Sequence, residues 1–194
     1  MYNGVSMVRL TTPIIFRLRI ELLESEPLIW RRLLVPADIT LPRLHRCLQI
    51  VMGWENYHLH SFEAGQARYG PREAELEDLG MEDERRVRLD ALLDDTRREL
   101  RYEYDYGDGW EHRIVLEQIE TANDRTHYPV CTAGERACPP EDVGGIHGYA
   151  DFVASLTDRR HDAHEENLRW IGGVFDPAGF DLNAVNRALR RARL

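Results

Sequence analysis

The sequence predicts an α+β fold. One mostly antiparallel sheet carries a helix after its second strand, and a C-terminal helical cluster covers its apolar face. Three observations predict it. Residues 14–22 place apolar side chains at every even position, with Arg17, Arg19 and Glu21 facing away. That period of two marks a half-buried strand. Glu99–Tyr106 and Glu111–Ile119 alternate in the same way around Gly107-Asp108-Gly109, a hairpin whose glycines supply positive φ. Behind Thr40, Leu44, Leu48, Val51 and Met52 fall on one helical stripe.

The elements follow in chain order. After the first strand, Leu28–Val35 lies between Pro27 and Pro36 and reads as a second strand. Thr40 is placed to cap the next helix, with Pro42 in its first turn and Gly53 at its C′ position. Tyr57–Glu63 reads as a strand with His58, His60 and Phe62 on one face, and residues 70–86 as an acidic surface loop. Val87–Leu93 fits either a strand or a short helix. Beyond the hairpin, Tyr128–Gly148 is rich in Pro, Gly and Cys and reads as a long ordered loop or lid. Helices are expected over Tyr149–Leu156, from a D-x-x-E capping box at Asp162 to Ile171, and after Asp181. The length of 194 residues fits a single domain spanning 1–194, with a core over about 14–190 and a flexible tail at 1–12.

Charge narrows the function. The formal net charge is −9, and all 25 basic residues are arginine. Residues 63–124 hold nine Arg against nineteen acids, while 1–62 hold seven against five and 125–194 nine against ten. The acidity is local. It argues against bulk nucleic-acid binding, because phosphate affinity comes largely from counterions released by cations. No apolar run reaches the 18–20 residues or so of a membrane span, and no secretory signal opens the chain. With 43% hydrophobic residues and three cysteines, a folded protein of the reducing cytoplasm is expected.

Chemistry concentrates in three places. Tyr104 to His112 sets Asp105 and Asp108 at a tight turn with His112 on the departing strand. Such groups can bind a divalent metal or serve as acid and base. The plain reading is that the aspartates bond their own turn and His112 is a hydrogen-bonded core histidine. His58-x-His60 puts two imidazoles about 7 Å apart on one strand face, a spacing that can grip a metal such as zinc if His112 lies alongside. Cys131-x6-Cys138 is half a metal site, a redox-labile pair, or two packed thiols, with packing favoured. Glu141-Asp142 follows directly and can bring carboxylates to a cleft or end a turn. Arg31, Arg32 and the Arg-rich last helix offer a local basic face, although such arginines are more often simply solvated. P-loop, zincin, serine-hydrolase, RNP and zinc-finger patterns are all missing.

These residues resemble the plasmid pRiA ORF-three-like family, whose members also occur as insertion-element passengers. The resemblance rests on Trp30-Arg31-Arg32, His45, Gly53-Trp54 and His58 to Phe62. It continues through Tyr104–His112, Cys131–Gly145 and Tyr149, and it runs from Ile14 to Leu189. It implies an α+β domain in plasmid or mobile-element contexts and supplies no established activity. Val143 stands where family members often carry a Cys before Gly-Gly, which removes a third cysteine from any metal set.

Two readings of function compete, with a third behind them. The first is a non-enzymatic binding or interaction module, an accessory protein of mobile DNA taking an unidentified protein or small ligand. The second is a metal-dependent hydrolase in which His58, His60 and His112 with one of Asp105 and Asp108 hold the ion. The other aspartate, or Glu141, would then act as general base. The third is nucleic-acid binding through Arg31 and Arg32.

Overall fold

The computed structural model describes residues 12–72, 80–192 and 194. Strands β1 (Ile14–Leu22) and β2 (Ile29–Pro36) form an antiparallel pair, and helix α1 (Leu41–Met52) follows. Then come β3 (His60–Ala64), β4 (Ala67–Gly70), the two-residue β5 (Glu82–Asp83), β6 (Glu99–Tyr104), β7 (Trp110–Thr121) and β8 (Val130–Glu135). Helices α2 (Gly145–Thr157), α3 (His164–Trp170) and α4 (Leu182–Arg191) end the described chain. The eight strands make one sheet in the order β5-β4-β3-β6-β7-β1-β2-β8, antiparallel except between β4 and β5. The expected α+β sheet with one helix after its second strand and a C-terminal helical cluster is therefore present. No helix among the described residues is long and apolar enough to cross a membrane.

The alternation read in β1 buries Phe16, Leu18, Ile20 and Leu22 against α1, whose Leu44, Cys47, Leu48 and Val51 are equally buried. The opposite face is an ion-pair lattice. Arg17 meets Glu120, Arg19 and Arg113 meet Glu21, Arg32 meets Glu117, and Arg101 meets Glu111. The arginines of this face are thus answered in place by glutamates of the same or the neighbouring strand.

Helix ends differ in how they are made. Asp181 caps α4, accepting a hydrogen bond from the Ala184 amide at 2.8 Å. Thr40 occupies the cap position of α1 in extended conformation without a side-chain bond. Gly53 closes that helix in the left-handed region, and its amide donates to Gln49 O. The expected Asp162 box is not formed. Helix α3 starts at His164 behind Ala163, which makes no side-chain cap, and its hold on the body comes from His164 Nδ1 bonded to Ser155 O at 2.7 Å. Val87–Leu93 contains a 3-10 turn at Leu89–Ala91.

Strand β8 corrects the long-loop reading of Tyr128–Gly148. It pairs with β2, and its free edge is covered by α4. Asn186 accepts from the Cys131 amide and donates to the Cys131 carbonyl, both at 2.8 Å, so one side chain stands in for a missing strand. Gly134 interrupts the pattern for a steric reason. A Cβ there would lie 2.8 Å from both Arg31 Cδ and Phe180 Cε1. The expected tail at 1–12 lies almost wholly outside the described residues, as do 73–79 of the acidic stretch and Arg193 of the C-terminal arginine set.

Candidate functional site

Three sequence segments converge at one end of the β6–β7 hairpin: the chain leaving α1 (Gly53 to Leu59), the hairpin turn, and the loop entering α2. Trp54 is the hub. Its ring stacks on Tyr104 at 4.9 Å and on Trp110 at 6.0 Å, and its indole N–H donates to Pro139 O at 3.0 Å. Glu141 is fastened twice. It accepts from the Glu55 amide at 2.7 Å and from the Tyr104 hydroxyl at 3.0 Å. Burial and then that carboxylate push the Tyr104 phenol well up, so it is a donor here. Its oxygen in turn accepts from the Tyr57 amide at 3.1 Å.

The hairpin turn is built by Asp105 and Gly109, at φ 57° and φ 68°, with the Gly109 amide donating to Asp105 O. Positive φ therefore falls on one Asp and one Gly, not on Gly107. Asp105 Oδ1 accepts from the Gly107 amide at 2.9 Å, the turn-bonding role expected of an aspartate there. Asp108 Oδ2 reaches across to accept from the Gly144 amide at 3.2 Å, pinning the loop to the turn.

This framing leaves one imidazole facing carboxylates. His58 Nε2 stands 3.1 Å from Asp142 Oδ1, 3.6 Å from Asp105 Oδ2 and 3.9 Å from Glu141 Oε2. The nitrogen is shut off from solvent, yet its approach to Asp142 is poorly directed, so it makes no true hydrogen bond. The Asp105 side chain is only 8% exposed. Ligand atoms of His58, Asp105 and Asp142 all lie within 4.8 Å of one another. Ligands bound at about 2.0–2.2 Å to one ion sit roughly 3–3.5 Å apart, so small side-chain adjustments bring all three onto a common cation.

Every one of these residues falls within the stretch matched by the sequence model for the plasmid pRiA4b ORF-3-like protein, residues 14–184. The chain belongs to the plasmid pRiA4b ORF-3-like family. It is 40% identical over 177 residues to the uncharacterized protein y4hQ of Sinorhizobium fredii (strain NBRC 101917 / NGR234), covering 90% of each chain. In structure it is similar to a protein of unknown function, MM3350 from Methanosarcina mazei Go1. The TM-score is 0.82 at 35% identity, over 89% of this chain and 97% of that one.

The remaining candidates of this pRiA4b ORF-3-like chain lie elsewhere. His60 sits one strand position inside β3, where its Nε2 meets the buried Glu84 at 3.1 Å and its ring stacks on His45 at 3.5 Å. His45 in turn bonds the Tyr102 hydroxyl and Asn56. His112 is fully buried, its Nδ1 3.3 Å from Tyr102 O. The three histidines named from the sequence therefore do not share a centre. His58 has left the strand for the preceding loop, which frees it to turn toward the aspartates.

The cysteines do not meet. Cys131 Sγ lies near Ala133 O, while Cys138 Sγ sits 3.1 Å from Met52 Sδ and accepts from Arg31. Burial pushes the Cys138 thiol up to about 11 and raises Cys131 as well, as suits packed thiols. Arg31 and Arg32 correct the basic-face reading: Arg31 is 2% exposed and bonded throughout, and Arg32 grips Glu117 at 2.6 Å.

Two buried imidazoles set a pH limit on the fold. Burial pushes His112 down to about 4, and burial with the neighbouring His60 charge pushes His45 down to about 3, from 6.5. Both are neutral when folded, and the unfolded chain takes up their protons first. Their stabilisation is complete above about pH 6.5 and is lost as pH falls toward about 4 and then 3. Urea midpoints should therefore drop steadily below about pH 6.5, whereas an unchanged midpoint at about pH 4.5 would contradict neutral burial.

Proposed function

We propose that this protein is a divalent-cation-binding module, an accessory protein of plasmid or mobile DNA working in the reducing cytoplasm. His58, Asp105 and Asp142 are its ligands. The observation that carries this reading is the convergence of three separate motif segments on one buried imidazole nitrogen and two carboxylates, all within 4.8 Å. One nitrogen with oxygen donors suits Mn²⁺ or Zn²⁺ better than Ca²⁺, and holds neither thiol nor second imidazole. The cysteines belong to the core and contribute nothing to the set.

Chelator-stripped protein should regain about one equivalent of Mn²⁺ or Zn²⁺ by elemental analysis. At a hundredfold excess over Kd it should gain about 2.7 kcal/mol of stability, read as a higher melting temperature. Asp105→Asn should abolish both effects. No bound metal, with an unchanged melting temperature, would sink the reading.

Glu141 supports a second reading, metal-dependent hydrolysis. It faces the same nitrogen at 3.9 Å but is held back by Tyr104 and the Glu55 amide. A carboxylate beside the ion and outside its ligand set is placed to take a proton from bound water. Glu141→Gln separates the readings: a hydrolase variant keeps the cation and loses turnover.

A further inference from the structure

A cavity opens beside Asp142. It has a volume of 390 Å³, and its walls come from α2, α3 and the loop before them. Phe152 and Trp170 form an aromatic wall, their rings crossed edge to face at 5.5 Å. Asp142, Asp151 and Glu166 stand around it with Asn167, and no basic side chain lines it among the described residues. Asp151 has His161 Nε2 at 3.4 Å and Asp142 has His58, while Glu166 has no ionic partner among the described residues. Trp170 is 48% exposed, a large apolar ring left in water, and Val174, four residues on, is wholly exposed. An exposed aromatic ring at the edge of a polar cavity marks a surface that contacts something else.

We propose that this pocket is a docking site for an arginine side chain of a partner protein. An aromatic face attracts a cation through its quadrupole, and carboxylates at the rim complete the match. Arginine fits better than lysine. Its planar guanidinium can lie on the Trp170 ring while its N–H fork reaches Glu166 and Asp151, and a point-charge ammonium cannot do both. The exposed part of the Trp170 ring then offers apolar contact to residues flanking that arginine. The site stands apart from cation binding at His58, since only Asp142 is shared.

The test uses the full ¹⁵N-labelled chain in chelator, so that its outcome is independent of metal. The probe is the capped tripeptide acetyl-Leu-Arg-Leu-amide, titrated to about 10 mM because one side chain gives only millimolar affinity. The Trp170 indole N–H signal, assigned with Trp170→Phe, should shift saturably. The citrulline counterpart, equal in shape but neutral, should bind about five-fold more weakly or worse. Glu166→Gln should cost a similar factor by the indole signal, and Trp170→Leu a similar factor by the amide shifts of the lining residues Asp151 and Asn167; both substituted positions are exposed, and the rest of the amide spectrum checks that the fold persists. A still indole signal, equal binding of the citrulline peptide, or a Glu166→Gln variant that binds normally would overturn the proposal. Self-association through the arginines of α4, seen as concentration-dependent shifts without peptide, would replace the partner by a second copy and likewise overturn it.

Discussion

Arg31→Ala is expected to lower the unfolding free energy by about 3–5 kcal/mol, because it leaves several buried carbonyl oxygens unpaired and opens a cavity. The guanidinium is the side chain on which four parts of the fold meet. Nε donates to Val51 O at 2.8 Å, Nη1 to Trp30 O at 2.8 Å and Glu135 O at 2.7 Å, and Nη2 to Arg136 O at 2.8 Å. Nη2 also reaches Cys138 Sγ, and the plane lies 4.1 Å from the Phe180 ring. No carboxylate takes part in these bonds. The charge is held by carbonyl dipoles, including one at the C-terminal end of α1 where the helix dipole favours a cation. Removing it strands four carbonyl oxygens together, each unmade buried bond costing about 1–3 kcal/mol before relaxation. Arg31→Lys should recover little, because one ammonium cannot span acceptors on α1, β2 and β8. Arg31→Met should fall between the two, filling the space without the bonds. Urea unfolding of the three variants measures this ordering. A loss below about 1 kcal/mol for alanine would mean that the carbonyls find water instead.

Arg31 also shows where sequence reading reaches its limit. Strands β1, β6 and β7 and helix α1 were legible because their apolar residues recur with the period of the element. Strand β8 was not, because its outer edge is bonded by the Asn186 side chain in place of a strand, and Gly134 is kept small by Arg31 and Phe180. Within β2, Arg31 sits at a core-facing position, and nothing in composition separates an arginine that caps carbonyls inside from one that meets phosphate outside. The site was half legible for a similar reason. Asp105, Asp108 and Glu141 were visible as carboxylates in turn-rich motifs, and His58 as one of a pair. Their partnership depends on register: His60 pairs opposite Tyr104 in the sheet, so His58 lies beyond the strand end beside the turn. His60, the first residue of β3, and His112, opposite Tyr102 within the sheet, are drawn into the core instead. Asp142 reads from the sequence, with Glu141, as either a cleft carboxylate or the end of a turn, and it lies nearest to His58 Nε2 of the three carboxylates, at 3.1 Å.

The second large effect is expected at Gly145. Helix α2 starts there in the left-handed region at φ 70°, and an added Cβ would lie 2.5 Å from the carbonyl oxygen of Asp108. Neither atom has room to give, because Asp108 is also bonded to the Gly144 amide. Gly145→Ala must lift the loop from the hairpin turn, and with it Asp142, which approaches His58 from that loop. Gly144 is the built-in control. It has φ 93°, but its Cβ would meet nothing closer than Gly148 Cα at 3.7 Å. Gly144→Ala should cost only left-handed strain, about 1–2 kcal/mol, and leave Mn²⁺ or Zn²⁺ affinity within about two-fold. Gly145→Ala should cost more than that and weaken cation binding by about ten-fold or worse, equivalent to about 1.4 kcal/mol at the site. Melting curves and a metal titration on both variants separate strain from displacement. Equal affinities in the two would show that the loop can leave the turn without moving a ligand, and Asp142 would then have to be struck from the coordinating set.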